Sequence, residues 1–151
     1  MISETTHPFD ILLVEDEPAD AHLVRSALKE SRVLCNLHHV FDGVEALAFL
    51  RRQGDAYGNA PKPDLVLLDL NMPRMNGREF LAAVKEDAEL KGIPVVVLTT
   101  SDVERDVVAS YHLGAAGYIT KPVDMEQFID AVRQLGNYWF VLTRLPEKGS
   151  A

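Results

Sequence analysis

The chain has 151 residues, a formal net charge of −8 and a single cysteine, Cys35. This length suits one domain with a substantial core. The negative charge argues against direct binding to nucleic acid, and one cysteine excludes a disulfide within the chain. No apolar run approaches the roughly 18 residues that span a bilayer, and residues 1–10 lack the pattern of a signal peptide, so we expect a cytoplasmic protein.

Short apolar runs and amphipathic segments alternate along the chain. A short continuous apolar run is typical of a strand buried on both faces, whereas apolar residues three or four positions apart indicate a helix. On this basis we predict strands over residues 9–14, 34–41, 64–68, 93–98 and 116–120. We predict helices over residues 18–31, 44–52, about 80–90, 102–113 and from about 124 onward.

The order of these elements, a strand followed by a helix five times, indicates an α/β domain. Such connections are right-handed crossovers, which place helices on both faces of a parallel sheet. The second strand has one polar side, so it suits an edge of the sheet. Residues 54–63 have the composition of a loop and are long for a helix-to-strand connection. Asp102 is expected to cap the fourth helix.

Polar side chains follow four of the predicted strands. Glu15 and Asp16 follow the first strand, Asp69 the third, Thr99 the fourth and Lys121 the fifth. Parallel strands end at one edge of the sheet, and the ligand crevice of an open α/β sheet lies there. We therefore expect these five side chains to meet.

These residue types form one chemical set. Three crowded carboxylates repel one another unless a cation joins them. Oxygen ligands in an open site suit Mg²⁺, which shares its coordination shell with phosphate groups. A lysine offers a point charge to an oxyanion, and a threonine offers a hydrogen bond. The set fits phosphoryl transfer to a carboxylate nucleophile.

The chain resembles the receiver domain of two-component response regulators over roughly residues 9–135. The resemblance is carried by Glu15-Asp16, by Asp69 before Leu-Asn-Met-Pro, by Thr99 after Val-Val-Val-Leu, and by Lys121-Pro122 after Gly-Tyr-Ile-Thr. It implies a flavodoxin-like, doubly wound, five-stranded parallel sheet of order 2-1-3-4-5 with five helices. Glu15 is a mild departure, because many members of the family carry aspartate there.

The resemblance also implies a role for each matching position. Asp69 would accept a phosphoryl group from a histidine kinase, and Lys121, followed by a cis bond to Pro122, would hold a phosphoryl oxygen. Thr99 and Tyr118 would switch the face formed by the fourth helix, fifth strand and fifth helix. The implied ligands of Mg²⁺, or of Mn²⁺ or Ca²⁺ in its place, are Glu15, Asp16, Asp69 and the backbone carbonyl of Asn71.

A narrower resemblance links the chain to the small response regulators paired with bacterial and cyanobacterial phytochromes. It rests on the 54–63 loop and on the aromatic end at residues 137–146. It implies a phytochrome-type kinase as partner and a homodimer formed through the switch face, without a nucleic acid or membrane partner. The expected dimer residues are Val103, Val107, Tyr111, Tyr138, Trp139 and Phe140.

The predicted domain arrangement is a lead-in over residues 1–8, a receiver domain over 9–143 and a loose tail over 144–151. The predicted protein is a single-domain signalling receiver and not an enzyme that acts on an external substrate. Simpler interpretations remain open for four positions. Thr99 could be a turn hydroxyl, Tyr118 a packing residue, Asn71 could only shape the turn before Met72-Pro73, and Trp139 could pack on its own domain.

Two other functions remain open at this point. A metal-dependent aspartyl-phosphate hydrolase shares the nucleophilic aspartate, but it usually has a second acid two residues later. Here that position is Asn71, which cannot act as the general acid. A receiver-fold scaffold that never uses phosphate is the other alternative, and the complete acidic set argues against it.

Overall fold

The computed structural model describes residues 9–31, 35–70, 72 and 74–134. Its strands are β1 (Phe9–Val14), β2 (Cys35–Val40), β3 (Leu65–Asp69), β4 (Val95–Thr99) and β5 (Gly117–Thr120). Its helices are α1 (Pro18–Ser31), α2 (Gly43–Leu50), α3 (Gly54–Tyr57), α4 (Gly77–Glu86), α5 (Asp102–Ala109) and α6 (Met125–Gln134). Among the described residues, no helix is both long and apolar enough to cross a membrane.

The five strands form one parallel sheet in the order β2-β1-β3-β4-β5. This confirms the predicted flavodoxin-like order and the edge position of the second strand. Every residue of β1, β3 and β4 is buried, as expected for central strands that helices cover on both sides. The continuous apolar runs are therefore a consequence of two-sided burial.

Alternate residues of the strands supply two separate cores. Leu12, Val14, Val66 and Leu68 face the side covered by α2, α4 and α5. The residues between them, such as Ile11 and Leu13, face the side covered by α1 and α6. The chain thus crosses to opposite faces after β1 and after β3, and this reversal opens a crevice at the carboxyl ends of those strands.

The prediction of five helices was wrong by one, because residues 54–63 include the single-turn helix α3. Tertiary contacts hold this turn in place. The ring of Tyr57 packs against Phe49 at a centroid distance of 5.5 Å, and its hydroxyl donates to Glu45 at 3.4 Å. The labels of the later helices are consequently one higher than predicted, so the predicted fourth and fifth helices correspond to α5 and α6.

The predicted cap of α5 was also wrong by one residue. The Ser101 hydroxyl accepts a hydrogen bond from the Glu104 amide at 3.1 Å, and Ser101 has extended backbone angles. Asp102 is the first helical residue, and its carboxylate accepts from the Thr120 hydroxyl at 3.0 Å. Both residue types cap helices well, so the composition of this turn does not distinguish them.

Candidate functional site: an acidic pocket at the carboxyl edge of the sheet

Three carboxylates meet in the crevice between β1 and β3. Glu15 and Asp16 follow β1 directly, Asp69 is the last residue of β3, and one oxygen from each lies within 4.8 Å of the other two. Glu15 is fully buried and Asp69 is 4% exposed. The neighbouring positions of β1 and β3 bring these acids together from parts of the chain more than fifty residues apart.

Lys121, which follows β5, projects its ammonium group into this pocket. The Nζ atom lies 2.8 Å from Oε1 of Glu15, 3.2 Å from Oδ1 of Asp69 and 3.0 Å from Oδ2 of Asp20 on α1. The backbone amide of Lys121 donates to the carbonyl of Thr99 at 2.7 Å, which fixes the end of β5 to the end of β4. One cation is thus shared by acids from three separate elements.

The pocket shifts the pKa values of its buried charges. Burial raises the pKa of Glu15 from 4.5 to about 7; Lys121 opposes this rise and the charge of Asp69 adds to it. Burial by itself lowers the pKa of Lys121, but its close contacts with the carboxylates of Glu15 and Asp20 and the charge of Asp69 outweigh it, so the net shift is upward. The lysine therefore stays charged, whereas Glu15 is partly protonated near neutral pH.

The donor set fits a hard divalent cation. Three acids, Glu15, Asp16 and Asp69, meet in the pocket, and the one ammonium there leaves an excess of negative charge. Oε1 of Glu15 is buried without a geometrically sound hydrogen bond within the described part of the chain, although Nζ of Lys121 is close to it. Carboxylate oxygens at this spacing suit Mg²⁺, which keeps several waters and shares its shell with phosphate.

The predicted switch residues lie on β4 and β5. Thr99 is fully buried at the end of β4, and its hydroxyl donates to the carbonyl of Ile119 at 3.4 Å. Tyr118 is half-buried against the core on the α5 side, and burial raises the pKa of its phenol. The peptide bond between Lys121 and Pro122 is cis. Thr99 is adjacent to the pocket because β4 pairs with β3, which carries Asp69. Tyr118 lies on β5, the strand on the other side of β4.

The loop that follows Asp69 is anchored to α2 and α4. Arg74 contacts the buried carboxylate of Asp42 through Nη2 at 2.6 Å, while the other oxygen of Asp42 caps α2 by accepting from the Glu45 amide at 2.8 Å. The amide of Gly77 donates to the carbonyl of Leu70 at 2.9 Å. These contacts hold both ends of the segment that carries position 71.

Helix α5 and the turn that follows it expose an apolar stripe. Val103, Val107 and Tyr111 are 73%, 49% and 52% exposed, and the guanidinium of Arg78 lies 4.3 Å above the Tyr111 ring. Between this helix and the acidic pocket is a cleft of about 530 Å³ that reaches Asp16.

The predicted metal ligand Asn71 and the predicted dimer residues Tyr138, Trp139 and Phe140 lie outside the described residues.

Asp20, which contacts Lys121 beside the pocket, is a residue that we did not predict from the sequence. It occupies the first turn of α1, where an acid commonly stabilises the helix dipole and needs no further explanation. Its proximity to Glu15 and Asp16 in the sequence was the only available signal. Its contact with Lys121, 101 residues away, depends on the fold.

Comparison with known proteins identifies relatives along almost the whole chain. The response regulator Rcp1 of Synechocystis sp. (strain ATCC 27184 / PCC 6803 / Kazusa) is 46% identical over 146 residues, which cover 97% of this chain and 99% of that protein. The solved structure of the phosphorylated cyanobacterial phytochrome response regulator RcpA is 45% identical, with a TM-score of 0.72 over 93% of this chain and 100% of that chain. The Mn²⁺-bound form of Rcp1 is 44% identical, with a TM-score of 0.66 over the same shares.

The family model of the response regulator receiver domain matches residues 11–133, which include most of β1, the other four strands and the acidic pocket. Receiver domains bind Mg²⁺ or Mn²⁺ at an acidic pocket, and the carboxylates of Glu15, Asp16 and Asp69 provide one here. The family match, the sheet order and the relatives agree with the resemblance seen in the sequence. This chain belongs to the response regulator receiver domain family and is related to the phytochrome response regulators.

Proposed function

We propose that this response regulator accepts a phosphoryl group on Asp69 from a phosphohistidine of a sensor kinase. The observation that carries the proposal is the position of the Asp69 carboxylate, which is 3.2 Å from the Lys121 ammonium and within 4.8 Å of two further acids. In the transfer, an oxygen of Asp69 forms a bond to phosphorus as the phosphorus–nitrogen bond to histidine breaks. The kinase histidine leaves as a neutral imidazole when its second ring nitrogen has first taken a proton from the solvent.

In this proposal, Glu15, Asp16, Asp69 and the backbone carbonyl of Asn71 would hold Mg²⁺. The ion supplies positive charge that offsets the repulsion between the pocket and the incoming phosphoryl group. Lys121 would bind one phosphoryl oxygen as a second positive charge. The residues of this chain therefore orient the nucleophile and neutralise charge, and the kinase brings the reactive group.

The response to phosphorylation would begin at Thr99. Its hydroxyl makes a long hydrogen bond of 3.4 Å to Ile119, which a phosphoryl oxygen can replace at small cost. A movement of Thr99 would leave space that the half-buried Tyr118 can enter. The output would be a change in the face formed by α5, β5 and α6.

The partners in this proposal follow from the relatives and from the surface. RcpA is described as a phytochrome response regulator, so we infer a phytochrome-type histidine kinase, and a cytoplasmic location where such kinases meet ATP. A second copy of this chain is the proposed occupant of the α5 stripe, because three large apolar side chains are exposed together there. The receiver unit would extend over residues 9–143, with a tail over 144–151.

The proposal is tested by labelling with a small phosphodonor such as acetyl phosphate in the presence of Mg²⁺. We expect one acid-, base- and hydroxylamine-labile phosphoryl group per chain, as for an acyl phosphate. Asp69→Asn should abolish labelling without unfolding the protein, whereas Asp64→Asn, an acid at the opposite end of β3, should be labelled like the wild type. Equal labelling of the wild type and Asp69→Asn would contradict the proposal.

The same assay addresses enzymatic turnover. Because Asn71 replaces the second acid that aspartyl-phosphate hydrolases use, we expect labelling to stop at one phosphoryl group per site. Hydrolysis of the group on Asp69 would be its own dephosphorylation and would not extend to external phosphate esters. Many cycles of ester hydrolysis per site would identify a hydrolase instead.

A further inference from the structure

The Lys121 ammonium has a third carboxylate partner beyond the acids of the metal pocket. An ammonium group has three N–H donors, and oxygens of Glu15, Asp69 and Asp20 all lie within 3.2 Å of Nζ. The ammonium donates hydrogen bonds to Asp20 and Asp69 at 3.0 Å and 3.2 Å and is also in contact with Glu15. A phosphoryl oxygen on Asp69 that approaches this ammonium competes with these carboxylates for its N–H donors.

The three partners differ strongly in their access to water. The side chain of Asp20 is 35% exposed, whereas those of Glu15 and Asp69 are 0% and 5% exposed. Separating a buried carboxylate from its cation leaves a charge without solvation, which is costly. A partly exposed carboxylate is rehydrated on release, and exposed ion pairs contribute little to stability. Asp20 is thus the partner whose release costs least.

We propose that Asp20 is the displaceable counter-ion of Lys121. It holds the ammonium next to the unmodified Asp69 carboxylate, and a phosphoryl oxygen replaces it when Asp69 is modified. This inference rests on the proposed function, since it assigns Asp20 to the same phosphorylation site. Asp20 acts through Lys121 and is a positioning residue whose charge sets how strongly the pocket binds a phosphoryl group.

The experiment measures binding of beryllofluoride, an inorganic phosphoryl mimic, to the full chain in the presence of Mg²⁺. Asp20→Asn removes the competing charge at constant shape, so we expect it to bind the mimic on the order of tenfold more tightly than the wild type. Asp20→Glu keeps the charge and should restore binding toward the wild-type value. Glu30→Gln removes an exposed acid from the other end of α1 and should bind like the wild type.

Two further measurements separate displacement from other roles of Asp20. Affinity for Mg²⁺ alone should be similar in the wild type and Asp20→Asn, because Asp20 contacts the lysine and not the metal pocket. In a structure of the beryllofluoride complex, the 3.0 Å contact between Lys121 and Asp20 should lengthen beyond about 4 Å, the limit of an ion pair.

Equal or weaker mimic binding by Asp20→Asn would overturn the inference, as would a large loss of Mg²⁺ affinity or a retained contact in the complex. These outcomes leave the proposed function intact as long as the wild type binds the mimic and is labelled on Asp69. If the wild type neither binds the mimic nor is labelled, the proposed function itself fails and the role of Asp20 fails with it.

Discussion

At the scale of a single residue, the proposed metal ligand Glu15 would make metal binding depend on pH. Its carboxylate is buried, its pKa is about 7, and only the ionised form can bind a metal ion. As the pH falls below about 7, a proton competes with Mg²⁺ for this group. We expect Mg²⁺ affinity to fall by up to about tenfold per pH unit in this range, as measured by fluorescence or calorimetric titration.

The control for this prediction is Glu15→Gln, which has no proton to exchange. Its weaker Mg²⁺ binding should vary much less between about pH 6 and about pH 8. In the metal-free protein, the contribution of Glu15 to folding stability changes with pH in the opposite direction to Mg²⁺ affinity. A raised pKa in the folded state stabilises the fold fully below pH 4.5, and that contribution is lost as the pH rises through about 7. An Mg²⁺ affinity that is constant down to pH 6 would show that Glu15 is not a ligand.

The residues that could be predicted from the sequence are those that directly follow strands. Asp16, Asp69 and Lys121 could be assigned to one pocket because the ends of parallel strands share an edge of the sheet. Asp20 could not be assigned, because an acid in a first helical turn has an ordinary explanation. Whether its side chain turns toward the pocket depends on the fold as a whole.

At the scale of elements, the site depends on how closely α4 approaches the end of β3. A Cβ atom on Gly77, the first residue of α4, would lie 2.7 Å from Cα of Leu70 and 2.9 Å from the carbonyl oxygen of Asp69. Both are backbone atoms, so a change of rotamer cannot relieve the overlap. The absence of a side chain at Gly77 therefore allows the helix to pack directly behind Asp69, the proposed phosphoacceptor.

We expect Gly77→Ala to lower the free energy of unfolding by about 1–3 kcal/mol, the usual effect of overpacking. It should also slow labelling of Asp69, because the backbone at Asp69 and Leu70 must move. The matched control is Gly92→Ala, where an added Cβ meets nothing within 4 Å. Chemical denaturation and acetyl phosphate labelling measure the two effects, and equal behaviour of the two variants would refute the prediction.

The ends of the strands could be predicted to within about two residues. A strand that is buried on both faces must consist almost entirely of apolar residues, so its extent is visible in the sequence. The helix α3 could not be, since Gly54, Gly58 and the prolines that follow are typical of loops. Its turn is stabilised by the contacts of Tyr57 with α2, which are not visible in a local pattern. Tertiary contacts override local propensity most easily in such short elements.

At the scale of the whole molecule, the proposed dimer depends on the exposed stripe of α5. Val107 lies at its centre, between Val103 and Tyr111. We expect Val107→Glu to shift the protein toward the monomer, because a charge buried in an apolar interface has no partner. Sedimentation velocity or light scattering at several concentrations measures the shift.

Val44→Glu is the matched control for this prediction. Val44 is 42% exposed, close to the 49% of Val107, but it lies in the first turn of α2, where an acid is favourable. Its variant should have the same mass in solution as the wild type. If both variants behave alike, α5 is not the dimer surface, although labelling of Asp69 could still proceed.

The edge strand β2 has a consequence for how copies of this protein meet. Open strand edges invite pairing with the edge of another molecule, and polar groups at the edge discourage it. On β2, Asn36 and His38 are tied to the carboxylate of Asp10 at 3.3 Å and 3.1 Å, so polar groups interrupt what would be an apolar ribbon. Sheet extension and fibre growth through this edge are thereby disfavoured, which is compatible with the proposed association through α5.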